Sequence, residues 1–315
     1  MFERVDVPTP FPSNSVNSYI AGNTVVDPGP ATMNAWNRLY DALDGRDKEP
    51  ADVEQVVVTH PHIDHFGQAA RFQERGATVI AARRAAPVLG HFQRFYADSQ
   101  SYLREVFVTN GMDRRLATDA VSSLSEYAEY ALNVSVDRTI TSGETLNVDG
   151  RPVRVDVTNG HSTGELLLRY THEGRRHALV GDHVLPEITP NPVLQKPRPD
   201  GNRRRNQVLT YNRSLERLRG SVFERLHPGH GAPITAVEDR IASILAFQRE
   251  RSRTVRKLAS EPVTAYRVVQ SMFGDVDTGN LYPAMLEAIG HLRALELASE
   301  LESTRRDNVV RYRPA

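Results

Sequence analysis

The chain alternates short apolar runs, typical of buried strands, with longer stretches whose apolar residues recur at helical spacing. Residues 56–58 are three consecutive valines, as expected of a strand buried on both faces of a sheet. Before them, residues 16–26 predict a two-stranded hairpin and residues 31–43 a helix with an apolar stripe. After them, residues 78–81 predict another strand. Strands that alternate with helices in this way predict an α/β fold.

The second half of the chain mixes strands and helices again. Further strands are predicted at residues 151–157, 166–170 and 177–180. A long amphipathic helix is then predicted at residues 236–258. Near the C-terminus the pattern predicts two helices and a hairpin, at residues 265–273, 282–297, and 298–304 with 309–312. We therefore predict a main domain, a connecting helix and a small C-terminal domain, at residues 1–235, 236–261 and 262–315.

The loop after the valine strand holds three histidines and an aspartate within six residues. Pro61 interrupts strand pairing, and His60 and His62, two residues apart, point to the same side of an extended chain. Asp64 and His65 follow where a helix is predicted to begin. One loop can therefore aim four ligand side chains in one direction, which favours a metal site over surface or helix-capping histidines.

The motif His60-x-His62-x-Asp64-His65 resembles the signature of the metallo-β-lactamase fold superfamily of binuclear metallohydrolases. That family has further ligands in a fixed order along the chain. This sequence offers them in three later motifs, as His161 in TNGHSTGE, Asp182 in ALVGDHVL and His230 in HPGHGAPI. The resemblance covers about residues 14–235, and four ordered motifs are far more specific than one. It implies a four-layer αββα sandwich.

The resemblance also implies how the ligands are shared between two metal ions. One ion would be held by His60, His62 and His161, the other by Asp64, His65 and His230, with Asp182 bridging the two. A hydroxide that bridges the metals would attack the substrate, and Asp64 is the predicted catalytic residue that orients it and receives its proton. Two divalent ions are expected. The set has no sulfur ligand, so we predict zinc, although iron or manganese would also be accepted.

The resemblance also suggests roles for Asp27, for an insertion and for the C-terminal domain. An aspartate at the place of Asp27 usually supports the metal loop, although a plain turn residue also fits this position. Residues 87–132 predict a helical insertion, which either roofs the active site or packs as a helical pair on the sheet edge. Its aromatic and histidine residues are His91, Phe92, Phe95, Tyr96, Tyr102, Phe107, Tyr127 and Tyr130. The C-terminal domain looks like a winged helix, which we expect to serve packing or homodimerisation.

Composition excludes several other kinds of site and partner. Lysine plus arginine equals aspartate plus glutamate at 39 each, so no overall charge favours nucleic acid or a membrane surface. The absence of cysteine excludes disulfides, a thiolate nucleophile and a cysteine-rich zinc module. The N-terminal residues lack the apolar core of a signal peptide, and no run of about 18 apolar residues occurs. We therefore expect a soluble cytoplasmic protein.

Some polar residues outside the ligand motifs could serve either of two roles, and others are predicted to be structural. His183 directly follows a predicted ligand and fits either support of the metals or contact with the substrate. His172 and His177 are predicted to be structural, and His227, by the family pattern, is not a ligand. The proline-rich loop 186–205 fits a solvated loop or an anion-binding rim. Its basic residues are Lys196, Arg198, Arg203, Arg204 and Arg205.

Four functions compete for such a site. Hydrolysis of an ester, thioester or lactone needs only the binuclear centre and an apolar pocket, and this is the leading hypothesis, with a small acyl substrate. A ribonuclease or phosphodiesterase is the alternative, because the superfamily contains nucleases. Oxygen reduction at a di-iron site is disfavoured by His62, where such members generally have glutamate, and by the lack of a flavin-binding domain. A DNA-binding regulator is disfavoured by helix 282–297, whose only basic-type residues are His291 and Arg293.

Overall fold

The computed structural model describes residues 1–122, 125–194 and 206–315. Within these ranges a six-stranded sheet follows chain order, with strands β1 (Glu3–Pro8), β2 (Ser15–Ala21), β3 (Thr24–Val26), β4 (Gln55–Val58), β5 (Thr78–Ala82) and β6 (Arg138–Ile140). Strands β1 to β3 pair antiparallel, and β3 to β6 pair parallel. The parallel strand β4 is the predicted valine run, and its three valines are buried.

A second, five-stranded sheet has the order β11-β10-β9-β8-β7. Its strands are β7 (Thr145–Val148), β8 (Arg151–Asn159), β9 (Thr163–His172), β10 (Arg175–Gly181) and β11 (Arg225–Pro228). All neighbours pair antiparallel except β10 and β11, which are parallel. Backbone hydrogen bonds join this sheet to the first, from Leu166 N–H to the Thr59 carbonyl (2.8 Å) and from Asn17 N–H to the Gly229 carbonyl (2.6 Å). The two sheets thus meet where the ligand motifs lie.

Helices occupy much of the rest of the described chain. They are α1 (Met33–Asp44), α2 (Ile63–Phe66), α3 (Ala69–Gln73), α4 (Ala86–Gly90), α5 (Phe92–Thr109), α6 (Arg114–Ser122), α7 (Gln207–Arg219), α8 (Val237–Leu258), α9 (Ala265–Phe273) and α10 (Thr278–Leu297). Two short 3₁₀ helices lie at Pro50–Asp52 and Ser125–Tyr130, and the final strands are β12 (Leu301–Arg306) and β13 (Val309–Pro314). The predicted α/β fold, with mixed sheets and helices, is confirmed.

Residues of the chain group into two compact units. The first, which contains both large sheets, comprises Met1–Phe95, Tyr127–Pro190 and Leu218–Ile241. The second comprises Tyr96–Glu126, Asn191–Arg217 and Ala242–Ala315. The second unit therefore includes part of the predicted insertion as well as the C-terminal residues. The domain boundaries drawn from the sequence at residues 235 and 262 stay a prediction.

The second unit is organised around α10. Eleven of the 20 residues of α10 are buried, and α10 contacts α6, α9 and β12. The two helices and the hairpin predicted for this part are present as α9, α10, β12 and β13. Since α10 is buried on several sides, it cannot present a free face to a nucleic-acid groove.

The sequence prediction missed the strands β1, β6 and β7. Each is short, and none contains a continuous apolar run: in β1 only Val5 and Val7 are buried, and β1 lies at the edge of its sheet. Such edge strands leave little signal in a single sequence. Among the described residues, none of the helices has both the length and the apolar character needed to cross a membrane.

The predicted insertion is helical, as α4, α5, α6 and the 3₁₀ turn at Ser125–Tyr130. Its aromatic residues have different surroundings. Phe92 is buried and packs edge-on against Phe66 of the first unit, and Phe107 is buried in the core of the second unit against Tyr282. Residues 186–194 form no helix or strand, and the predicted anion-binding residues Lys196, Arg198, Arg203, Arg204 and Arg205 lie outside the described residues.

Candidate metal centre

Strand β4 delivers the first ligand motif to one edge of the first sheet. The strand ends at Val58, and the buried His60 follows two residues later. His62 is the N-cap of α2 and has extended backbone, with φ −93° and ψ 145°. Asp64 and His65 lie within α2 itself, where the sequence predicted a helix to begin. A strand end and a single helical turn therefore present all four side chains.

The second sheet supplies the remaining three predicted ligands from its connecting loops. His161 lies in the turn between β8 and β9, Asp182 directly follows β10, and His230 lies two residues beyond β11. Gly181 has φ +49°, and a Cβ there would lie 2.7 Å from Thr59 Oγ1 of the first sheet. Glycine is therefore required for the close approach of this loop to the first motif.

One group of ring nitrogens consists of His60, His62 and His161. His62 Nδ1 lies 3.0 Å from His60 Nε2 and 3.1 Å from His161 Nε2. Two ligands at about 2.0–2.1 Å from a tetrahedral zinc ion stand roughly 3.3 Å apart. The three nitrogens therefore have the spacing of ligands that share one ion, and they form a candidate metal-binding group.

A second candidate group consists of Asp64, His65 and His230. His230 Nε2 lies 3.1 Å from Asp64 Oδ2, and His65 Nε2 lies 3.8 Å from the same oxygen. All three side chains are at least partly buried, and His65 is fully buried. This grouping is the one that the sequence predicted for the second metal ion.

Asp182 stands between the two groups. Its Oδ1 atom is 3.4 Å from His65 Nε2, and its Oδ2 atom is 3.4 Å from His230 Nε2 and 3.8 Å from His161 Nε2. Oδ2 therefore lies near ligand nitrogens of both groups, and Oδ1 lies near the second group alone. A carboxylate shared in this way between two cation-binding groups has the arrangement of a bridging ligand. The structure thus brings all seven predicted ligands together.

Asp27 supports this centre from behind the first motif. It follows β3 with φ +52°, and its carboxylate accepts hydrogen bonds from the Thr59 N–H (2.7 Å) and the Thr59 hydroxyl (2.6 Å). A third hydrogen bond joins the same carboxylate to His65 Nδ1 at 2.9 Å, and since the carboxylate oxygen accepts, the imidazole Nδ1–H is the donor. The support predicted for Asp27 is confirmed, and the plain turn interpretation is wrong.

These hydrogen bonds assign the tautomers of three histidines. The single hydroxyl hydrogen of Thr59 goes to Asp27, so the 3.0 Å contact from His60 Nδ1 is a bond donated by the imidazole to Thr59 Oγ1. His230 Nδ1 donates to the Ser15 carbonyl at 2.6 Å. In His60, His65 and His230 the Nδ1 atom is thus hydrogen-bonded away from the centre, and the Nε2 atom faces it. Metal-binding histidines are commonly oriented by such a hydrogen bond from their other ring nitrogen.

Burial keeps two histidines of the first group, His60 and His62, neutral. Burial, together with the nearby His161, lowers the pKa of His62 to about 3. Burial is also the main cause that lowers the pKa of His60 well below its ordinary value, and His65 and His62 add to it. Neutral imidazoles with a bare nitrogen are the form that binds a metal ion.

In the second group, and in the neighbouring Asp182, the pKa values are set mainly by pairing between opposite charges. Burial alone would lower the pKa of His230, but Asp182 outweighs it and raises this pKa to about 10. Burial would likewise lower the pKa of His65, which Asp182, Asp64 and Asp27 instead raise well above its ordinary value. Burial would raise the pKa of Asp182, but His65 and His230 hold it well below its usual range. A bound cation would take the place of these imidazole protons.

Two buried polar atoms test whether this site fits a metal ion. His65 Nε2 and Asp182 Oδ1 have no hydrogen-bond partner within the described ranges, although they lie 3.4 Å apart. Buried polar atoms are rarely left unsatisfied in folded proteins. Both atoms face the group of ligand atoms described above, and imidazole with carboxylate is a donor set that divalent zinc, iron and manganese accept. The residues therefore fit a pair of divalent ions.

Gly229, which directly follows β11, packs tightly against two of the predicted ligands. A Cβ at this position would lie 2.2 Å from Asp182 Oδ1 and 2.6 Å from His65 Cε1. The loop that ends in His230 can reach the centre because no side chain stands at Gly229. The roles of Gly229, Thr59 and Ser15 were not predicted from the sequence, because these residues contact the predicted ligands only in the folded chain.

The other histidines of the first unit lie outside the seven-residue set. His177 Nδ1 is 3.2 Å from His227 Nε2, their rings stack, and the His172 ring packs edge-on against His177. This agrees with a structural role. His183 is fully buried, with Nδ1 3.4 Å from Oε2 of the equally buried Glu165.

Comparison with known families matches residues 12–230 to the Metallo-beta-lactamase superfamily. Residues 252–315 match a domain described as Metallo-beta-lactamase-like, C-terminal domain. A C-terminal domain is therefore present, but its predicted description as a winged helix is not supported. The chain is similar to the Probable metallo-hydrolase YqjP of Bacillus subtilis (strain 168), at 31% identity over 314 residues, with 98% of this chain and 96% of that protein covered.

Two solved structures share the architecture. The metallo-beta-lactamase family protein TTHA1429 from Thermus thermophilus superposes with a TM-score of 0.80 at 24% identity, covering 100% of this chain and 98% of that one. A Beta-lactamase domain protein from Burkholderia ambifaria gives 0.79 at 26% identity, covering 100% and 92%. Fold, ligand geometry and the family match over most of the chain agree. The chain belongs to the metallo-β-lactamase superfamily.

Proposed function

We propose that the chain is a binuclear metal-dependent hydrolase that cleaves carboxylic esters, thioesters or lactones. The observation that carries the proposal is the position of Asp182, whose two oxygens lie 3.4 to 3.8 Å from ligand nitrogens of both histidine groups. One carboxylate shared by two groups supports two ions at one centre. The name of the similar Bacillus subtilis protein, a probable metallo-hydrolase, agrees with this class of reaction.

Seven residues would hold the two ions: His60, His62, His161, Asp64, His65, His230 and Asp182. We favour zinc, with iron or manganese as the alternatives. When bound, divalent ions polarise a substrate carbonyl and lower the pKa of water towards neutrality. The chain itself orients the ligands through Asp27, Thr59 and Ser15.

Asp64 would be the proton acceptor. Burial would raise its pKa, but His65 and the hydrogen bond with His230 lower it below the ordinary value, so the carboxylate is ionised at neutral pH. Its side chain is 19% exposed, more than that of Asp182 at 9%. An ionised, partly open carboxylate can accept a proton from the attacking water and return it to the leaving alcohol or thiol.

A cluster of three aromatic side chains, one of them on a residue whose backbone contacts the metal loop, supports an acyl substrate. Phe11 packs edge-on against Tyr127 at 4.9 Å and against Tyr130 at 6.1 Å between ring centroids, and all three are partly exposed. The Tyr130 carbonyl accepts a hydrogen bond from Ala31 N–H at 2.7 Å and packs on Gly67, two residues after His65. This cluster would form an apolar wall beside the metal loop, as a small-molecule pocket requires.

Two alternatives make different predictions. A ribonuclease needs several cations along a track, because each neutralised phosphate contributes to binding. A DNA-binding regulator needs an exposed recognition helix, whereas α10 is buried on several sides. We therefore keep phosphodiester cleavage as the alternative activity and give the regulator no further weight.

The proposal is tested by turnover on one metal-loaded preparation. We expect kcat/KM for an aryl ester or acyl-coenzyme A to exceed that for a bis-aryl phosphodiester and for single-stranded RNA. Asp182→Ala should abolish every genuine activity and so serves as the control for contaminating enzymes. If RNA or the phosphodiester is cleaved more than about tenfold faster, a barrier difference of ~1.4 kcal/mol, the alternative replaces the proposal.

A further inference from the structure

Glu165 is a buried carboxylate that the proposed mechanism does not use. Glu165 is 2% exposed, and neither of its carboxylate oxygens has a hydrogen-bond partner in the part of the chain that the structure describes. The side chain of His183 is fully buried, and its Nδ1 atom lies 3.4 Å from Glu165 Oε2. Because a buried charged group is costly unless it is paired, the two side chains are best described as a buried acid–imidazole pair.

Glu165 lies where two of the ligand loops are joined. It is the third residue of β9 and follows His161 by four positions, so both belong to one turn-and-strand segment. The next residue, Leu166, donates its N–H to the Thr59 carbonyl at 2.8 Å. Thr59 directly precedes His60. The backbone around Glu165 is therefore connected to two of the three members of the first histidine group, His161 and His60.

His183 belongs to the third loop. It directly follows Asp182, and its N–H donates to the Val180 carbonyl at 3.0 Å, which closes a tight turn around the left-handed Gly181. Fixing the imidazole of His183 therefore fixes the turn from which the Asp182 carboxylate projects.

We propose that Glu165 and His183 form a buried brace that positions Asp182 relative to His161 and His60. The inference rests on the proposed metal centre and goes beyond it, because these two residues are not among the ligands and act through Asp182. The brace joins the loops whose atoms Asp182 Oδ2 and His161 Nε2 stand 3.8 Å apart. If it is broken, Asp182 can no longer serve both groups at once.

The brace makes a prediction that a merely structural pair does not. Loss of the brace should weaken metal binding and lower kcat with little change in KM, since the substrate is not contacted. A structural pair would change the stability of the metal-free chain and leave metal affinity and ligand geometry as they are. Outer residues that orient metal ligands typically change affinity by about 10- to 100-fold.

Glu165→Gln, His183→Gln and the double variant test the inference in the full-length chain. Zinc affinity would be measured by competition with a chelating dye, and ligand geometry by the absorption spectrum of the cobalt(II) form. Asp156→Asn is the matched control, since Asp156 pairs with Arg169 across the same strands β8 and β9. We expect each single variant to lose about tenfold or more in affinity and the control to lose none.

The double variant decides whether the two residues act as a unit. We expect its zinc affinity to be no lower than that of the single variant with the lower affinity. Once one partner is changed the interaction is already lost, so changing the other removes nothing more. Should a single variant fail to fold, the double variant replaces it, since neither partner is then left as an unpaired buried charge. Affinity within twofold of wild type with an unchanged cobalt spectrum, or strictly additive losses, would overturn the brace.

Failure of the brace and failure of the proposed function can be told apart. The affinity and spectral measurements use zinc and cobalt alone, so they stand whether or not an ester is hydrolysed. Normal metal binding in the variants, with ester hydrolysis by wild type, overturns the brace and leaves the proposed function in place.

Discussion

At the scale of single residues, the candidate centre depends on hydrogen bonds that leave the Nε2 atom of three predicted histidine ligands directed inwards. Asp27, Thr59 and the Ser15 carbonyl hold the Nδ1 atoms of His65, His60 and His230, respectively. Each bond fixes a tautomer as well as a ring orientation. The support of the centre is therefore distributed over residues that contact no metal themselves.

Asp27→Asn should weaken metal binding by about 10- to 100-fold, because the amide replaces one accepting oxygen with a donor that opposes Thr59 and His65. Dye competition with zinc measures the effect. Asp47→Asn is the control, since Asp47 also has left-handed backbone (φ 55°) but lies outside the centre and is exposed. Equal affinities of the two variants would show that Asp27 does not support the ligands.

At the scale of elements, short loops from two sheets meet at one edge, and glycines allow them to approach. The strands β4, β10 and β11 each end within two residues of a predicted ligand. Gly229 and Gly181 lie where a Cβ would collide with Asp182 and Thr59. Packing of the loops, rather than any one loop alone, therefore sets the distances in the centre.

Gly229→Ala should disrupt the centre, because its Cβ would lie 2.2 Å from Asp182 Oδ1. We expect a loss of at least one bound ion per chain and a large loss of activity. Gly90→Ala is the matched control, since the nearest atom to a Cβ there, the Val134 carbonyl oxygen, is 4.0 Å away. Two tightly bound ions in Gly229→Ala, by elemental analysis, would contradict the packing account.

At the scale of the whole molecule, what could be predicted from the sequence depended on how local each signal was. The seven predicted ligands lie in four ordered motifs, and each motif can be recognised within a few residues. Glu165, Ser15 and Gly229 could not be found, because their roles exist only after the two sheets meet. The edge strands β1, β6 and β7 were missed for a related reason, since they derive their stability from pairing rather than from an apolar run.

The second unit gives a prediction about stability and pH that is independent of the metal centre. Burial, with a smaller effect of Arg251, lowers the pKa of His291 to about 4, and Nδ1 lies 2.9 Å from Ser252 Oγ. The unfolded chain, with a histidine pKa near ~6.5, binds this proton more readily than the folded chain. Stability should therefore fall as pH drops from about 6.5 to about 4, by roughly 3 kcal/mol at most.

His291→Gln removes this titration and should make unfolding less sensitive to acid. The measurement is the difference in unfolding free energy between wild type and variant at pH 7.5 and at pH 4.5, so that titrations common to both proteins cancel. A difference that does not change with pH would show that His291 binds its proton equally well in the folded and the unfolded chain, and would contradict the prediction.

The central claim is that seven side chains hold two divalent ions in each chain, with Asp182 shared between them. Elemental analysis of protein loaded with zinc, iron or manganese and then freed of excess metal tests it most directly. The account predicts about two ions per chain for wild type and at least one fewer for Asp182→Ala. A stoichiometry near zero in the loaded wild type, or two ions held tightly by Asp182→Ala, would contradict it.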